Sequence, residues 1–170
     1  MRPTVTRERV EKMLSRASSI QIVVVGDVML DRYIRGSLEA SGEPPWAKHV
    51  VEGEEDRLGG AGNVVRGAAA LGAHATLIGI VGADHRRELH ELLLKEPRVE
   101  PKLVFDESRL TTVKRRYIVN ESVLWRSDSE TRDAPSGATA AMIRKCIEGS
   151  IRECSAVIVS DYQKGTVTGE

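Results

Sequence analysis

The stretch Gly59-Gly60-Ala61-Gly62-Asn63 places three glycines within four residues and closes them with a carboxamide. Glycine reaches positive φ and lets another group approach the backbone, so such a stretch suits a sharp turn or a close contact. The small, apolar segment Val64–Leu71 follows, which predicts a helix with Asn63 as its N-cap. The free N–H groups and the positive dipole end of such a helix suit a polar or anionic ligand. A tight turn without a ligand is the plain alternative. Two carboxylates, Asp27 and Asp31, come directly after the apolar run Ile20–Val25. Asp161 and Lys164 come directly after another, Ala156–Val159. Open parallel sheets hold ligands just beyond the carboxyl ends of their strands. Asp27 and Asp31 therefore stand where a polar ligand would be held. Read structurally, Asp27 caps a turn and Asp31 is a surface carboxylate. Lys114 and Arg116 are two apart in a strand-like segment, which gives one basic face. Taken alone, that face is solvated.

The elements that must position these residues follow from pattern. Ile20–Val25, Ala75–Val81 and Ala156–Val159 are nearly all apolar and rich in β-branched residues, as parallel strands covered on both faces require. A helix should follow Asp84 as its cap, with Leu89, Leu92 and Leu93 at helical spacing, and another should span Pro135–Ile151. Strands alternating with helices predict an α/β parallel sheet. Gly36–Pro45 reads as a loop, Trp46–Val51 as strand-like, Glu52–Asp56 as a polar turn and Lys102–Phe105 as a short strand. Thr111–Val119 and Ser122–Arg126 around Asn120-Glu121 predict a hairpin standing off the main sheet. Met1–Ser19 reads as a short amphipathic helix, without the apolar core of a signal peptide.

Several classes are excluded. The 170 residues carry 25 basic and 25 acidic side chains, and aromatics make up 4%. Neither a basic field nor a stacking surface for nucleic acid is implied. No stretch is long and apolar enough to span a membrane. The two cysteines, Cys146 and Cys154, are eight apart on a helical segment, too far for a disulfide, and read as thiols of a cytoplasmic protein. No phosphate loop ending in Gly-Lys-Ser/Thr is present. Gly60-Ala61-Gly62 starts like a dinucleotide fingerprint, but Val65 stands at the third glycine position and the preceding Glu52–Arg57 is charged. His85 and His90 are five apart and do not share a helix face as a metal pair would.

Taken together, Gly26-Asp27-Val28-Met29-Leu30-Asp31-Arg32-Tyr33, Gly59-Gly60-Ala61-Gly62-Asn63, Leu71-Gly72-Ala73 and Gly79-x-x-Gly82-x-Asp84 resemble the ribokinase-like (PfkB) carbohydrate kinases. Within that family they are most similar to the heptose 7-phosphate kinase branch. Thr111-Thr112-x-Lys114, Arg126-x-Asp128 and Ser160-Asp161-Tyr162-x-Lys164-Gly165 extend the resemblance across nearly the whole chain.

The resemblance implies a parallel sheet flanked by helices with a small β lid, built here from segments at about 36–57 and 102–127, and a C-terminal part of the fold missing. It implies phosphoryl transfer from ATP, with magnesium, to a sugar phosphate on the route to lipopolysaccharide. It makes Asp31, Gly59, Gly60 and Asn63 sugar-binding residues, and puts Lys114 and Arg116 on the lid where a phosphate would lie. Asp27, Asp161 and Lys164 fall at the ligand edge without individual roles. Two departures stand out. The lid segment reads Ser41-Gly42-Glu43-Pro44-Pro45 where the family has Ser-Pro-Glu-Ala-Pro. The family's Gly-Ala-Gly-Asp motif, whose amides and carboxylate serve the nucleotide half, has no counterpart here, because Asn63 follows Gly60-Ala61-Gly62 and an amide cannot act as a base. Two expectations follow. One is the sugar half of a kinase, inactive by itself. The other is a non-catalytic module that binds sugar phosphate or pairs with another chain. The partners expected are a second copy across the lid or a chain supplying the missing half.

Overall fold

The computed structural model describes residues 5–168. Helix α1 (Arg7–Ala17) leads into β1 (Gln21–Gly26). Two long strands, β2 (Val28–Ala40) and β3 (Ala47–Gly60), precede α2 (Ala61–Ala70) and β4 (His74–Val81). Then come α3 (Arg86–Leu93), β5 (Val99–Phe105), the pair β6 (Thr112–Val119) and β7 (Ser122–Ser129), α4 (Gly137–Ser150), a 3-10 turn (Ile151–Glu153) and β8 (Ala156–Ser160).

The three apolar runs form the main sheet. Its order is β5-β4-β1-β8, with β1 parallel to both β4 and β8 and β4 parallel to β5. Leu77 and Ile78 are sequence neighbours that point to opposite faces, and both are fully buried. That requires a cover on each side. One face packs against α2 and α3 through Leu77, Val65, Leu89 and Leu93. The other packs against α4 through Val23, Val25, Ile78 and Ile143. Fully burying one such side chain contributes about 1.5–3 kcal/mol. The outer strand β8 is different: Val157, Ile158 and Val159 are 47%, 37% and 60% exposed.

A second sheet stands off the first in the order β3-β2-β6-β7, with β2 antiparallel to β3, β2 parallel to β6, and β6 antiparallel to β7. The expected hairpin is present. Asn120 and Glu121 both take positive φ, 49° and 60°, the backbone of a two-residue turn whose twist matches the flanking strands.

Three expectations are corrected here. Gly36–Pro45 is not all loop, because β2 runs to Ala40 with a bulge between Arg35 and Gly36, which leaves only residues 41–46 as the turn. Glu52–Asp56 is not a turn but the middle of β3. Its charges are cross-strand partners: Arg32 holds Asp56 through two bonds of 2.7 Å, and Arg35 lies 3.4 Å from Glu55. Charge density marked a solvated strand rather than a break. The strand at Lys102–Phe105 starts at Val99 and belongs to the main sheet beside β4, so the second sheet is formed by residues 28–60 and 112–129.

Candidate functional site

β1 ends at Gly26, and Asp27 is the first residue beyond it. Its carboxylate is 1% exposed and accepts the backbone N–H groups of Tyr162, Lys164 and Thr166 at 2.7, 3.1 and 3.1 Å. Its own N–H donates to the Ser160 carbonyl, and its carbonyl accepts from Ala61 N–H at 2.9 Å. Asp27 thus ties the loop after β8 and the start of α2 to the end of β1. Arg109, 9% exposed, secures the same loop by donating to the carbonyls of Thr131, Asp133 and Lys164.

Four residues on, Asp31 lies on β2 where the second sheet rises from the first. Arg116 on β6 donates to Asp31 Oδ1 at 2.6 Å, and both side chains are about one-fifth exposed. Gly59 on β3 packs against the other oxygen: a Cβ there would lie 2.6 Å from Asp31 Oδ2. Asp31 pairs in register with Arg57 on one side and Lys114 on the other. Side chains in a strand alternate between faces, so Tyr33 joins Asp31 on this face. Its ring lies under two guanidinium groups, Arg57 at 4.8 Å and Arg116 at 5.3 Å. Lys114 Nζ sits 5.4 Å from the centre of the Tyr162 ring. The result is one carboxylate, half-committed to a cation, on a basic and aromatic face above the carboxyl ends of the main sheet. Such a face suits a polyhydroxylated anion, since the carboxylate accepts from hydroxyls and the cations take the charge.

Asn63 is not the helix cap. Helix α2 starts two residues earlier, at Ala61, with Gly60 at the cap position and no side-chain capping bond. The physical reason is Gly60, whose φ of 55° lets the chain turn straight from β3 into the helix while the Asp27 carbonyl takes the Ala61 N–H. Asn63 is left exposed in the first turn, with no side-chain hydrogen bond among the described residues. Asp84 is not a cap either: His85 holds that position, and Asp84 accepts the Thr111 N–H at 3.0 Å and hydroxyl at 2.7 Å. Burial opposes ionisation there, but the two Thr111 bonds together hold the carboxyl below its usual range. Thr111 leads into β6, so this contact sets where Lys114 and Arg116 begin.

The last two edge residues bond locally. Asp161 is exposed and accepts the Gln163 N–H at 2.7 Å. Lys164 pairs with Glu130 at 2.7 Å, both nearly buried, and that ammonium, with Arg132 adding, holds the Glu130 carboxyl below the usual range. The structure therefore brings Asp31, Gly59, Lys114 and Arg116 together, and turns Asp27 and Lys164 inward. Sequence reasoning missed Tyr33, Arg57 and Tyr162. The signal for Tyr33 was its place two residues after Asp31 in one strand. A groove of about 580 Å³ between α3 and β5 contains none of these residues. It is lined by Leu89, Leu93, Leu103 and Phe105 and lies beside the free edge of β5.

Among the described residues no grouping of three His, Cys, Asp or Glu could hold a metal ion.

The comparisons with known proteins agree with this arrangement. The family model described as pfkB family carbohydrate kinase matches residues 19–135. D-beta-D-heptose 7-phosphate kinase of Bordetella bronchiseptica is 42% identical over 156 residues, 89% of this chain and 48% of that protein. Bifunctional protein HldE of Caulobacter sp. strain K31 is 39% identical over 153 residues, 89% of this chain and 31% of that protein. Among solved structures, phosphofructokinase-2 from Escherichia coli with substrates and products superimposes with a TM-score of 0.66 at 20% identity, over 88% of this chain and 47% of that one. A carbohydrate kinase from Agrobacterium tumefaciens gives 0.61 at 17% identity, over 82% and 45%. The chain spans a third to a half of the length of these relatives. With the parallel sheet, the upright second sheet and the glycine turn against Asp31, these matches carry one conclusion: the chain belongs to the pfkB family of carbohydrate kinases.

Proposed function

We propose that this chain supplies the sugar-binding half of an ATP-dependent kinase that phosphorylates a sugar phosphate, D-glycero-β-D-manno-heptose 7-phosphate at O1. The observation that carries the reading is the Asp31 carboxylate. Arg116 occupies one oxygen, Gly59 leaves room at the other, and that second oxygen accepts a sugar hydroxyl. Gly60 and Asn63 line the same edge. Lys114 and Arg116 set a positive field for the phosphate the substrate already carries. The name of the Bordetella bronchiseptica relative, D-beta-D-heptose 7-phosphate kinase, supports the heptose assignment.

Phosphoryl transfer needs charge stabilisation on the transferring group and a base for the attacking hydroxyl. In this reading the catalytic Asp, ATP and magnesium are assigned to the part of the relatives that this chain does not span. Alone, the chain binds and does not turn over. A second reading, a non-catalytic sugar-phosphate-binding or pairing module, is favoured by the bare β8 edge, where another chain would complete the sheet. A homodimer through the lid is the other pairing. No helix among the described residues is long and apolar enough to cross a membrane. The role assigned in this reading is a cytoplasmic one in ADP-heptose synthesis.

The test is calorimetric titration of residues 1–170 with heptose 7-phosphate, beside a coupled ADP-release assay with ATP and magnesium. Binding without turnover is expected. Turnover abolished by Asp31→Ala would overturn the half-site reading, and absence of binding would overturn the sugar reading.

A further inference from the structure

The basic face above Asp31 includes Arg57, Lys114, Arg116 and Arg126, and three of these four are engaged. Arg116 is held by Asp31 at 2.6 Å, Arg57 by Glu55 at 2.7 Å and Arg126 by Asp128 at 2.9 Å. Lys114 has no carboxylate within ion-pair distance among the described residues, although it is the register partner of Asp31 on one side and Asp128 on the other. Its ammonium rests instead over the half-exposed ring of Tyr162. An aromatic face steadies a cation without neutralising it. A paired guanidinium has already given its strongest bond away, whereas a lone ammonium keeps its full charge for an incoming dianion.

Tyr162 does not reach this place by chance of a loose loop. Its N–H donates to the buried Asp27 carboxylate, which also takes the N–H groups of Lys164 and Thr166. Arg109 grips the Lys164 carbonyl from the other side at 2.7 Å. Gly165, with φ of 87°, closes the loop. The loop that follows β8 is therefore rigidly tied to the end of β1, four residues before Asp31.

We propose that Lys114, seated on Tyr162, is the residue that selects a phosphorylated over an unphosphorylated sugar, and that Asp27 is a positioning residue that holds Tyr162 beneath it. Arg116 adds to the positive field, but its bond to Asp31 makes its main task the orientation of that carboxylate for the sugar hydroxyls. This division of labour rests on the sugar-binding reading above.

The readout is the ratio of two affinities of residues 1–170, for heptose 7-phosphate and for unphosphorylated heptose. The wild-type chain should prefer the phosphate. Lys114→Met should lower that preference by roughly 10- to 100-fold, the loss of one charge-assisted bond. Tyr162→Leu should lower it by about threefold, since an exposed cation–π contact is worth less, and Tyr162→Phe should restore it. A merely structural role for any of these residues would move both affinities together and leave the ratio alone, which would overturn the proposal. So would a ratio that falls in Arg116→Met but not in Lys114→Met. A wild-type chain that binds both sugars equally sinks this inference and leaves the sugar reading standing. A chain that binds neither sinks both.

Discussion

Adjacent glycines at 59 and 60 should fail in different ways when replaced by alanine. At Gly59 a Cβ would stand 2.6 Å from Asp31 Oδ2, 2.9 Å from Met29 Cγ and 3.0 Å from Asp31 Cγ. Two of these atoms belong to the Asp31 carboxyl, which can turn aside, and the third is the Cγ of Met29, only 1% exposed, which must shift by a few tenths of an ångström within the core. Asp31 must rotate by a fraction of an ångström to an ångström, and that motion breaks its 2.6 Å bond to Arg116. Asp31 and Arg116 are about one-fifth exposed and can rehydrate, so the broken ion pair adds about 1 kcal/mol to the folding cost, on top of the repacking of Met29. Binding suffers more. The carboxylate leaves the position from which it accepts a hydroxyl, a loss of about 1.5–3 kcal/mol, or roughly 10- to 150-fold in Kd for the sugar phosphate. At Gly60 the Cβ would fall on the Asp27 carbonyl oxygen, which already accepts the Ala61 N–H at 2.9 Å, and φ is 55°. Backbone cannot rotate aside, and a side chain in that φ/ψ region costs about 1–3 kcal/mol before the clash is added. Urea denaturation followed by tryptophan fluorescence separates the two from calorimetric affinity. Gly59→Ala that binds like wild type, or that unfolds as readily as Gly60→Ala, would refute the account of Gly59 as a glycine kept for Asp31.

Asp27→Ala strands three backbone N–H donors in a buried place and should cost about 3–5 kcal/mol in the same denaturation assay; a loss below about 1 kcal/mol would mean water reaches the loop after β8. Residues 1–170 by themselves should self-associate on a sizing column through β8, whose apolar edge is open, and Val159→Lys should shift the population toward monomer. Glu130, held below its ordinary value of 4.5 by Lys164, contributes stability that is complete above about pH 4.5 and is lost as pH falls through the lowered value. The urea midpoint should therefore drop on acidification below about pH 4.5 and drop less steeply in Glu130→Gln; equal slopes would remove this ion pair from the acid response.

The main sheet was legible because β1, β4 and β8 are nearly all apolar and rich in β-branched residues; two-sided burial of β1 and β4 leaves little room for polar residues, and β8 carries the same pattern although it is exposed. The second sheet was half legible. Its β6–β7 hairpin carries a turn of its own, but β2 and β3 pass through Asp31, Arg32 and Glu52–Asp56, charges that resemble a turn until their cross-strand partners are known. Asp27 and Asp31 show the same limit more sharply. They are the same residue type, four apart, beyond the same strand. One is buried under three amides contributed from 135 to 139 residues away, and the other faces a cation and an open site. Local pattern assigns both to the ligand edge, and only the long-range partners divide them into a tie and a ligand group. The charge balance conceals the site in a similar way. A chain with 25 charges of each sign has no net field, yet strand alternation gathers Arg57, Lys114, Arg116 and Arg126 on one face and leaves their carboxylates unevenly shared. In the proposed reading that local imbalance draws the anionic sugar, and Lys114 is where it is not cancelled.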